Sequence, residues 1–349
     1  MLLRREDLSA GDALQHLVGL QAQNPNAPYV ALWSRLVDFE PDELAALVGA
    51  RKVVRVALMR WTLHLVTARD CLAMRPVLQP VIERRMRAGY GRHVGQIELD
   101  RLVEVGRALV EQEPRTLGDI GRLLATEWPG IEPSALAHAL SALAPLVHVP
   151  PRGIWGRNGR ATQTTVERWL GRPLETSTRP DELIVRYLAA FGPATVADIR
   201  AWSGLTGLGP AVERLRPQLR SFRDECGREL LDVLDGALPD PQTPAPVRFL
   251  PEFDSAVFAH ADRSRIDRCP DRRRTMPKTF LVDGFVAGTW RLIRSRHLTA
   301  LEVTPFEPLE RDDRVALAEE GLRLLGFLVA GVEEDVRVSV RFVEQETVA

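Results

Sequence analysis

Apolar positions recur with helical and with alternating periods along the chain, and the order of these patterns is informative. Near the N-terminus, helical spacing covers residues 10–21, 29–36 and 41–48. An alternating stretch rich in β-branched residues follows at Val53–Thr67 and predicts a hairpin. Helix, helix, helix and hairpin is the order of a winged helix-turn-helix unit.

The clearest internal repeat is a seven-residue motif. Residues 114–120 read PRTLGDI and residues 193–199 read PATVADI, so Thr, Asp and Ile occupy the same offsets. A threonine followed by an acidic residue three positions later is typical of a helix N-terminus, where the hydroxyl accepts from a free backbone N–H. The motif therefore predicts two equivalent helices within two copies of one unit.

The elements around the two motifs also repeat. Helical patterns flank the first motif at residues 99–111 and 133–146, and the second at 181–190 and 209–219. Hairpins are then expected at Leu146–Trp155, turning at Pro150–Gly153, and at Leu219–Leu234, turning near Cys226–Arg228. The sequence thus predicts three winged-helix units, at residues 1–96, 97–178 and 179–240.

The last third of the chain has a different pattern. A proline-rich linker at residues 239–246 precedes strand patterns at residues 247–260, 279–292, 298–304 and 336–343, and one helical pattern at 310–328. Asp283-Gly284 between two apolar runs is a strong hairpin signal. We predict an α+β fold in which tandem winged helix-turn-helix units are followed by a small β-barrel-like domain at residues 247–349.

Composition narrows the class of protein. Of the 349 residues, 45% are hydrophobic and 27% charged, and the net charge is −1. These values, with no apolar run long enough for a bilayer and no signal-peptide core, predict a folded cytoplasmic, nucleoid-associated monomer. The three cysteines form no CxxC pair, and Cys71 and Cys226 are expected to be buried apolar side chains. We expect no metal and no nucleotide cofactor, since neither ligand spacing nor a glycine-rich phosphate loop occurs.

Because the net charge is close to zero, DNA binding would depend on local basic clusters. Residues 83–93 form one cluster, for which a solvated charged face is an equally good interpretation. Residues 262–278 form a second, with seven basic residues against three acidic ones. Its predicted phosphate-binding members are Arg263, Arg265, Arg272, Arg273 and Lys278.

Gln21-Ala22-Gln23 places two amides around one small residue where the first helical pattern ends. Alone, it is also consistent with a polar helix terminus. However, Val18–Gln23 resembles the Gln-apolar-Gln motif of the winged-helix DNA glycosylases of the AlkZ and YcaQ-like (AlkX) family. Met59–Val66 resembles that family's wing strand, with Trp61 where glycine is usual. The blocks at residues 249–263 and 282–290 resemble its C-terminal domain.

The resemblance implies a monofunctional glycosylase that releases alkylated, cationic purines from double-stranded DNA, including interstrand crosslinks. It assigns Gln21 and Gln23 to positioning the attacking water, Arg60, Thr62 and His64 to a DNA-binding wall, and Asp254 and His260 to the cleft. A satisfied polar strand edge is an alternative for the wall, and a structural role for Asp254 and His260. Lyase chemistry needs an amine, and only Lys52 and Lys278 supply one.

Two other functions remain open from the residues alone. The scaffold could belong to a non-catalytic DNA-binding protein such as a transcriptional regulator, or to a protein-interaction module. The glutamine motif favours the enzyme, and the basic cluster disfavours the interaction module. Because cationic bases are good leaving groups, we expect an open, shallow site in which deep base flipping is not required.

Overall fold

A computed structural model describes residues 1–268, 277–295, 298–330 and 337–343. The α-helices of this part of the chain are α1 Ala10–His16, α2 Ala27–Trp33, α3 Pro41–Gly49, α4 Ala68–Val94, α5 Leu99–Gln112, α6 Leu117–Glu127, α7 Pro133–Leu143, α8 Val166–Leu170, α9 Asp181–Phe191, α10 Val196–Ser203, α11 Gly209–Leu215, α12 Ser255–Phe258 and α13 Arg311–Val329. The strands are β1 Leu20–Gln21, β2 Val53–Ala57, β3 Leu63–Thr67, β4 Arg115–Thr116, β5 Leu146–His148, β6 Thr162–Thr165, β7 Leu219–Arg223, β8 Glu229–Val233, β9 Arg248–Leu250, β10 Thr279–Val282, β11 Phe285–Arg294, β12 Leu298–Pro305 and β13 Arg337–Phe342.

One order of elements occurs three times. Helix, helix, helix and hairpin are found in the first repeat (residues 10–67), the second repeat (99–165) and the third repeat (181–233), and in the first two a short strand follows the first helix. The short strand pairs with the returning hairpin strand in the first two repeats, as β1 with β3 and β4 with β6. In the third repeat a single bridge from Ala194 to Leu231 takes that place.

The hairpins of the first two repeats share one sheet. Its order is β1-β3-β2-β5-β6-β4, so the two repeats meet edge to edge through β2 and β5. Arg55 and His148 face each other in this antiparallel pairing. Joining two hairpin edges covers the unpaired backbone that each would otherwise expose.

The repeated threonine motif forms the helix caps expected from its sequence. Thr116 accepts from the backbone N–H of Asp119 at the start of α6. Thr195 does the same with Asp198 at α10, where the aspartate also accepts from the backbone N–H of Thr195 in a full capping box. The equivalence of the two helices, predicted from a short motif, is confirmed.

Two sequence-based assignments were wrong in position, and one helix was missed. Helix α1 ends at His16 rather than Gln21, because Val18 and Gly19 turn the chain with φ of 54° and 89°. A Cβ on Gly19 would lie 2.4 Å from Val66 Cγ1, which excludes other residues there. The strand after β5 returns at Thr162 rather than near Trp155. Helix α4, with Pro76 and Pro80 inside it, was not predicted.

The C-terminal sheet is open. Its strand order is β13-β12-β11-β10-β9, and in the described residues its two edge strands, β13 and β9, do not pair. The barrel-like expectation was therefore wrong, while the Asp283-Gly284 hairpin and helix α13 were predicted correctly. Helix α13 packs its buried face, including Leu317 and Leu324, into the core that the sheet shares with α1 and α2.

The first repeat also packs against the third. Leu58 and Met59, at the tip of the first hairpin, lie in one core cluster with Tyr187 and Trp202 of the third repeat. The tip is thereby fixed between two repeats, next to β1.

Within the described residues, no helix is long and apolar enough to cross a membrane. Cys71 is buried, but Cys226 is exposed at the third hairpin, so the burial expected for Cys226 was wrong. Cys269 lies outside the described residues.

Candidate active site

The glutamine motif lies on a strand edge rather than at a helix end. Gln21 belongs to β1, opposite His64 of β3, and Ala22 is buried behind it. Since side chains alternate along extended backbone, Gln21 and Gln23 project to the face opposite Ala22. Gln21 is partly exposed and Gln23 is exposed. The Oε1 atom of Gln23 accepts from the backbone N–H of Leu63 at 3.0 Å.

Arg60 reaches Gln21 from the tip of the first hairpin. Arg60 and Trp61 both have left-handed backbone, with φ of 55° and 57°, and Thr62 N–H donates to the Met59 carbonyl at 3.0 Å. Two such residues in succession form a tight turn that normally takes Asn or Gly. Strain of this kind persists only where packing imposes it and is concentrated at functional sites. Here it directs Arg60 Nη2 to Oε1 of Gln21 at 3.1 Å.

Arg60 carries its charge without a carboxylate partner among the described residues. Its Nη1 donates to the carbonyl of Trp202, in the last turn of α10, where the helix dipole favours a cation. Burial, together with the smaller effects of the positive charges of Arg85 and Arg263, lowers the pKa of Arg60 to about 10. Arg60 is still protonated at neutral pH. Positive charge from three parts of the chain therefore gathers beside Gln21.

Arg55 was missed by the sequence analysis. Its side chain is 7% exposed, its Nε donates to the Ala22 carbonyl at 2.7 Å, and its Nη2 donates to the Gln23 carbonyl at 3.1 Å. Burial lowers its pKa to about 10, and Arg152 adds repulsion. The guanidinium thus fixes the backbone on which both glutamines are carried. The only sequence feature that could have identified Arg55 is that an arginine interrupts a strand pattern rich in β-branched residues.

The predicted wall of Arg60, Thr62 and His64 is not a single strand face. The strand begins at Leu63, so Arg60 and Thr62 belong to the turn, and Thr62 Oγ1 donates to the Met59 carbonyl at 3.0 Å. His64 is 3% exposed, and its Nδ1 lies 2.9 Å from the Thr62 carbonyl, which assigns the proton to Nδ1. Burial, and secondarily Arg60, lowers the pKa of His64 to about 3. A neutral His64 supports the turn.

The contacts of Asp254 and His260 are with residues other than Gln21 and Gln23. Asp254 is 3% exposed, accepts from both Nη atoms of Arg35 at 2.9 and 2.6 Å, and caps α12 through Ala256 N–H. This bonding is that of a structural carboxylate and disfavours the cleft role. His260 is half-buried, and its pKa is lowered mainly by burial, while the nearby Asp198 opposes this shift.

The predicted phosphate-binding residues lie in different environments. Arg263 lies close enough to affect Arg60 and also covers the Phe258 ring at 4.6 Å. Arg265 is exposed and donates to the Pro193 carbonyl at 2.8 Å. Lys278 Nζ lies 4.9 Å from the centre of the Trp290 ring. Arg272 and Arg273 lie outside the described residues.

Part of the first basic cluster faces the same site. Arg87 is paired with Glu83, and Arg84 donates to the Gly204 carbonyl at 2.6 Å. Arg85 is exposed, acts on Arg60, and makes no hydrogen bond or ion pair with described residues. Arg85 can therefore contact an external anion.

The donors and acceptors of the two glutamines suit the positioning of water. In the described part of the chain, no group of three or more His, Cys, Asp or Glu side chains is placed to hold a metal ion. Each glutamine Oε1 accepts one hydrogen bond and retains a second lone pair, while its NH₂ group can donate. The site can orient water and bind phosphate or sugar oxygens.

Comparison with known proteins agrees with these features. A family model described as DNA glycosylase AlkZ-like matches residues 14–327. The interstrand DNA cross-link repair glycosylase of Streptomyces sahachiroi is 24% identical over 342 residues, which span 88% of this chain and 87% of that protein. The structure of Streptomyces sahachiroi DNA glycosylase AlkZ superposes with a TM-score of 0.75 at 22% identity, covering 98% of this chain and 95% of that one, and so shares its fold. Because the family model spans most of its length, this chain belongs to the AlkZ-like DNA glycosylase family.

Proposed function

We propose that this protein is a monofunctional glycosylase that hydrolyses the N-glycosidic bond of alkylated, cationic purines in double-stranded DNA. Gln21 and Gln23 hold the attacking water. The observation that carries the proposal is the placement on one strand edge of two accessible amides, Gln21 partly exposed and Gln23 exposed, whose oxygens are oriented by Arg60 and by the Leu63 N–H. The name of the curated relative supports an extension to interstrand crosslinks.

The chemistry suits a site without a strong base. As the bond between C1′ and the purine nitrogen breaks, its electron pair neutralises the positively charged base, and the sugar becomes oxocarbenium-like. The water oxygen then bonds to C1′, and its proton passes to solvent. Amide oxygens can orient this water but cannot take its proton at neutral pH. The site therefore acts on good leaving groups and leaves undamaged guanine intact.

The electrostatics support a phosphate, rather than the sugar, as the partner of Arg60. A buried guanidinium beside a developing cation would raise the barrier unless an anion neutralised it. Arg60 contacts Gln21, and the charges of Arg85 and Arg263 lie close enough to act on Arg60. A duplex supplies phosphates at this position, and their binding would offset the burial of Arg60.

We further propose that the three repeats are winged-helix units, with domain limits at residues 1–96, 97–178 and 179–240. The repeated order of elements and the recurrent pairing of the short strand with the hairpin support this assignment. The joined hairpins would then present one continuous edge to DNA. We propose that one copy of the chain is sufficient for binding, since Gln21, Arg60 and Arg263 come from a single chain.

The decisive experiment is release of free base from a duplex that contains N7-methylguanine, measured by chromatography under single-turnover conditions. Gln21→Ala and Gln23→Ala should each lower the rate constant by about 10²-fold or more, because each removes an oriented acceptor near the reacting atoms. Duplex affinity should change by less than about threefold.

Two results would contradict the proposal in different ways. Full release by the double variant Gln21→Ala/Gln23→Ala would remove the mechanism while leaving the activity. Absence of release by the wild-type protein, together with tight binding to one undamaged sequence, would identify a regulator instead.

A further inference from the structure

A preformed cavity of about 480 Å³ opens next to the glutamine motif and is not used in the mechanism above. Asn24, the residue after Gln23, lines it, as do Asn26 and Glu252. Trp155 and Trp290 form two of its walls, and Lys278 lies at Trp290. Cavities of this size accept organic groups of drug-fragment dimensions.

One residue that lines the cavity, Glu252, has an acceptor without a donor among the described residues. Asn24 Nδ2 donates to Oε1 of Glu252 at 2.6 Å, which fixes the carboxylate. The second oxygen, Oε2, is buried and has no hydrogen-bond partner among the described residues. A buried polar atom left unpaired is costly and is commonly satisfied by a bound molecule or water. Glu252 thus provides a site for an N–H or O–H donor.

Both aromatic walls are held rigidly. The Trp290 indole N–H donates to the Leu250 carbonyl at 2.9 Å. Trp155 packs against Tyr29 and Phe327, with ring centres 4.9 and 5.2 Å apart. Fixed indoles can pack against a flat, apolar ligand surface with little loss of conformational entropy.

From these contacts we infer that the cavity binds the substituent of a bulky base adduct, namely a planar aromatic group that carries an N–H or O–H donor for Glu252 Oε2. The inference rests on the proposed function and specifies its substrate class. The base itself stays at Gln21 and Gln23, while the substituent occupies the space beside Asn24. Small alkyl adducts leave the cavity empty and depend only on the glutamines.

Three duplex substrates test this assignment: one with N7-methylguanine, one with N7-benzylguanine and one with N7-(4-hydroxybenzyl)guanine. Glu252→Gln keeps an acceptor for Asn24 but replaces Oε2 with an NH₂ donor. The wild-type protein should have a kcat/KM about tenfold higher for the hydroxybenzyl than for the benzyl adduct, and Glu252→Gln should abolish that difference. Release of N7-methylguanine should stay within about twofold of wild type.

A second variant fills the cavity. Asn26 is exposed and its side chain makes no cap hydrogen bond, so Asn26→Trp can fold while obstructing the space, and Asn26→Ser is its matched control. Asn26→Trp should lower kcat/KM for both aromatic adducts by about tenfold and leave the methyl adduct unaffected. Equal effects of either variant on all three adducts, or none on any, would overturn the inference. Failure of wild-type protein to release N7-methylguanine would instead overturn the proposed function.

Discussion

The first and third repeats share their order of elements but use their hairpins differently. In the first repeat the hairpin tip is buried, Arg60 and Trp61 have left-handed backbone, and the adjacent short strand carries Gln21. In the third repeat the tip is exposed, Gly227 takes the positive φ of 77°, and Ala194 occupies the short-strand position. Asp224 accepts from the backbone N–H groups of Cys226 and Arg228 and relaxes that turn.

Charge pairing also separates the two hairpins. Arg220 and Arg228 of the third hairpin are both paired with aspartates. Arg55 and Arg60 of the first bind main-chain carbonyls and an amide instead. The shared scaffold positions the hairpin in both repeats. Only the first hairpin combines arginines that lack carboxylate partners with a strained backbone, and we assign the reactive site to these two features. The predictions below test this difference.

The largest expected effect is that of Arg55→Met. Loss of the bonds to the Ala22 and Gln23 carbonyls frees the backbone that carries both glutamines. Misplacement of about 1 Å is sufficient to lower the rate constant of base release by about 10²-fold. Single-turnover kinetics and duplex binding, measured well below the unfolding temperature, should separate this loss from a loss of affinity.

Arg220→Met in the third repeat is the matched control. It leaves the buried Asp232 without its cation and should reduce the free energy of unfolding by roughly 3–5 kcal/mol. Base release by the folded protein should nevertheless match wild type. If Arg220→Met slows release as much as Arg55→Met does, positioning is not specific to the first hairpin.

Trp61 gives the next largest effect. Its ring meets Tyr90 and His138 edge-on, at 6.2 and 6.5 Å, and this packing holds the strained turn. Trp61→Ala removes the ring but keeps a Cβ in the left-handed region, whereas Trp61→Gly removes both. The glycine variant should therefore be about 1 kcal/mol more stable than the alanine variant, as measured by urea unfolding.

The third hairpin should give the same order, with glycine more stable than alanine, because Gly227 also has a positive φ. Gly227→Ala introduces a Cβ at a left-handed position and should cost about 1 kcal/mol without changing base release. Equal stabilities for the alanine and glycine variants at residue 61 would argue that its backbone is unstrained.

A smaller effect concerns acid stability. Burial lowers the pKa values of His64 and His148 to about 3, so both are neutral when folded. Between about pH 3 and 6.5 the unfolded chain binds more protons, and the free energy of unfolding falls as the pH falls through this window. His64→Gln should reduce that dependence, as measured by urea unfolding at about pH 7 and 5. The third repeat contains no histidine and therefore adds no imidazole contribution to this dependence. An undiminished acid dependence in His64→Gln would contradict this origin.

The sequence predicted local order better than it predicted the site. Caps at Thr116 and Thr195 and the Asp283-Gly284 turn were predictable because each depends on neighbouring residues. The open C-terminal sheet depends on pairing between distant strands, which local patterns do not encode. The two prolines in α4 concealed a 27-residue helix.

Within the site, the glutamine pair was identified from its motif, but its support was not. Arg55 has no sequence feature that links it to residues 22 and 23, since the contact spans 33 and 32 positions along the chain. The ion pair of Asp254 was equally hidden from the sequence, because its partner, Arg35, is 219 positions away. Contacts of this range arise from tertiary packing alone.

The smallest predicted effect is that of a single surface charge near the first hairpin. Arg85→Ala removes an exposed cation that acts on Arg60 and has no partner among the described residues. Duplex affinity should fall roughly two- to fivefold regardless of the DNA sequence. The plot of the logarithm of the association constant against the logarithm of salt concentration should become less steep by about 1. Arg87→Ala, on the same helix but paired with Glu83, is the control and should leave the slope nearly unchanged. Equal slopes for the two variants would mean that DNA does not approach the first hairpin along this helix, and the contrast between the two hairpins would then lie in their backbone strain alone.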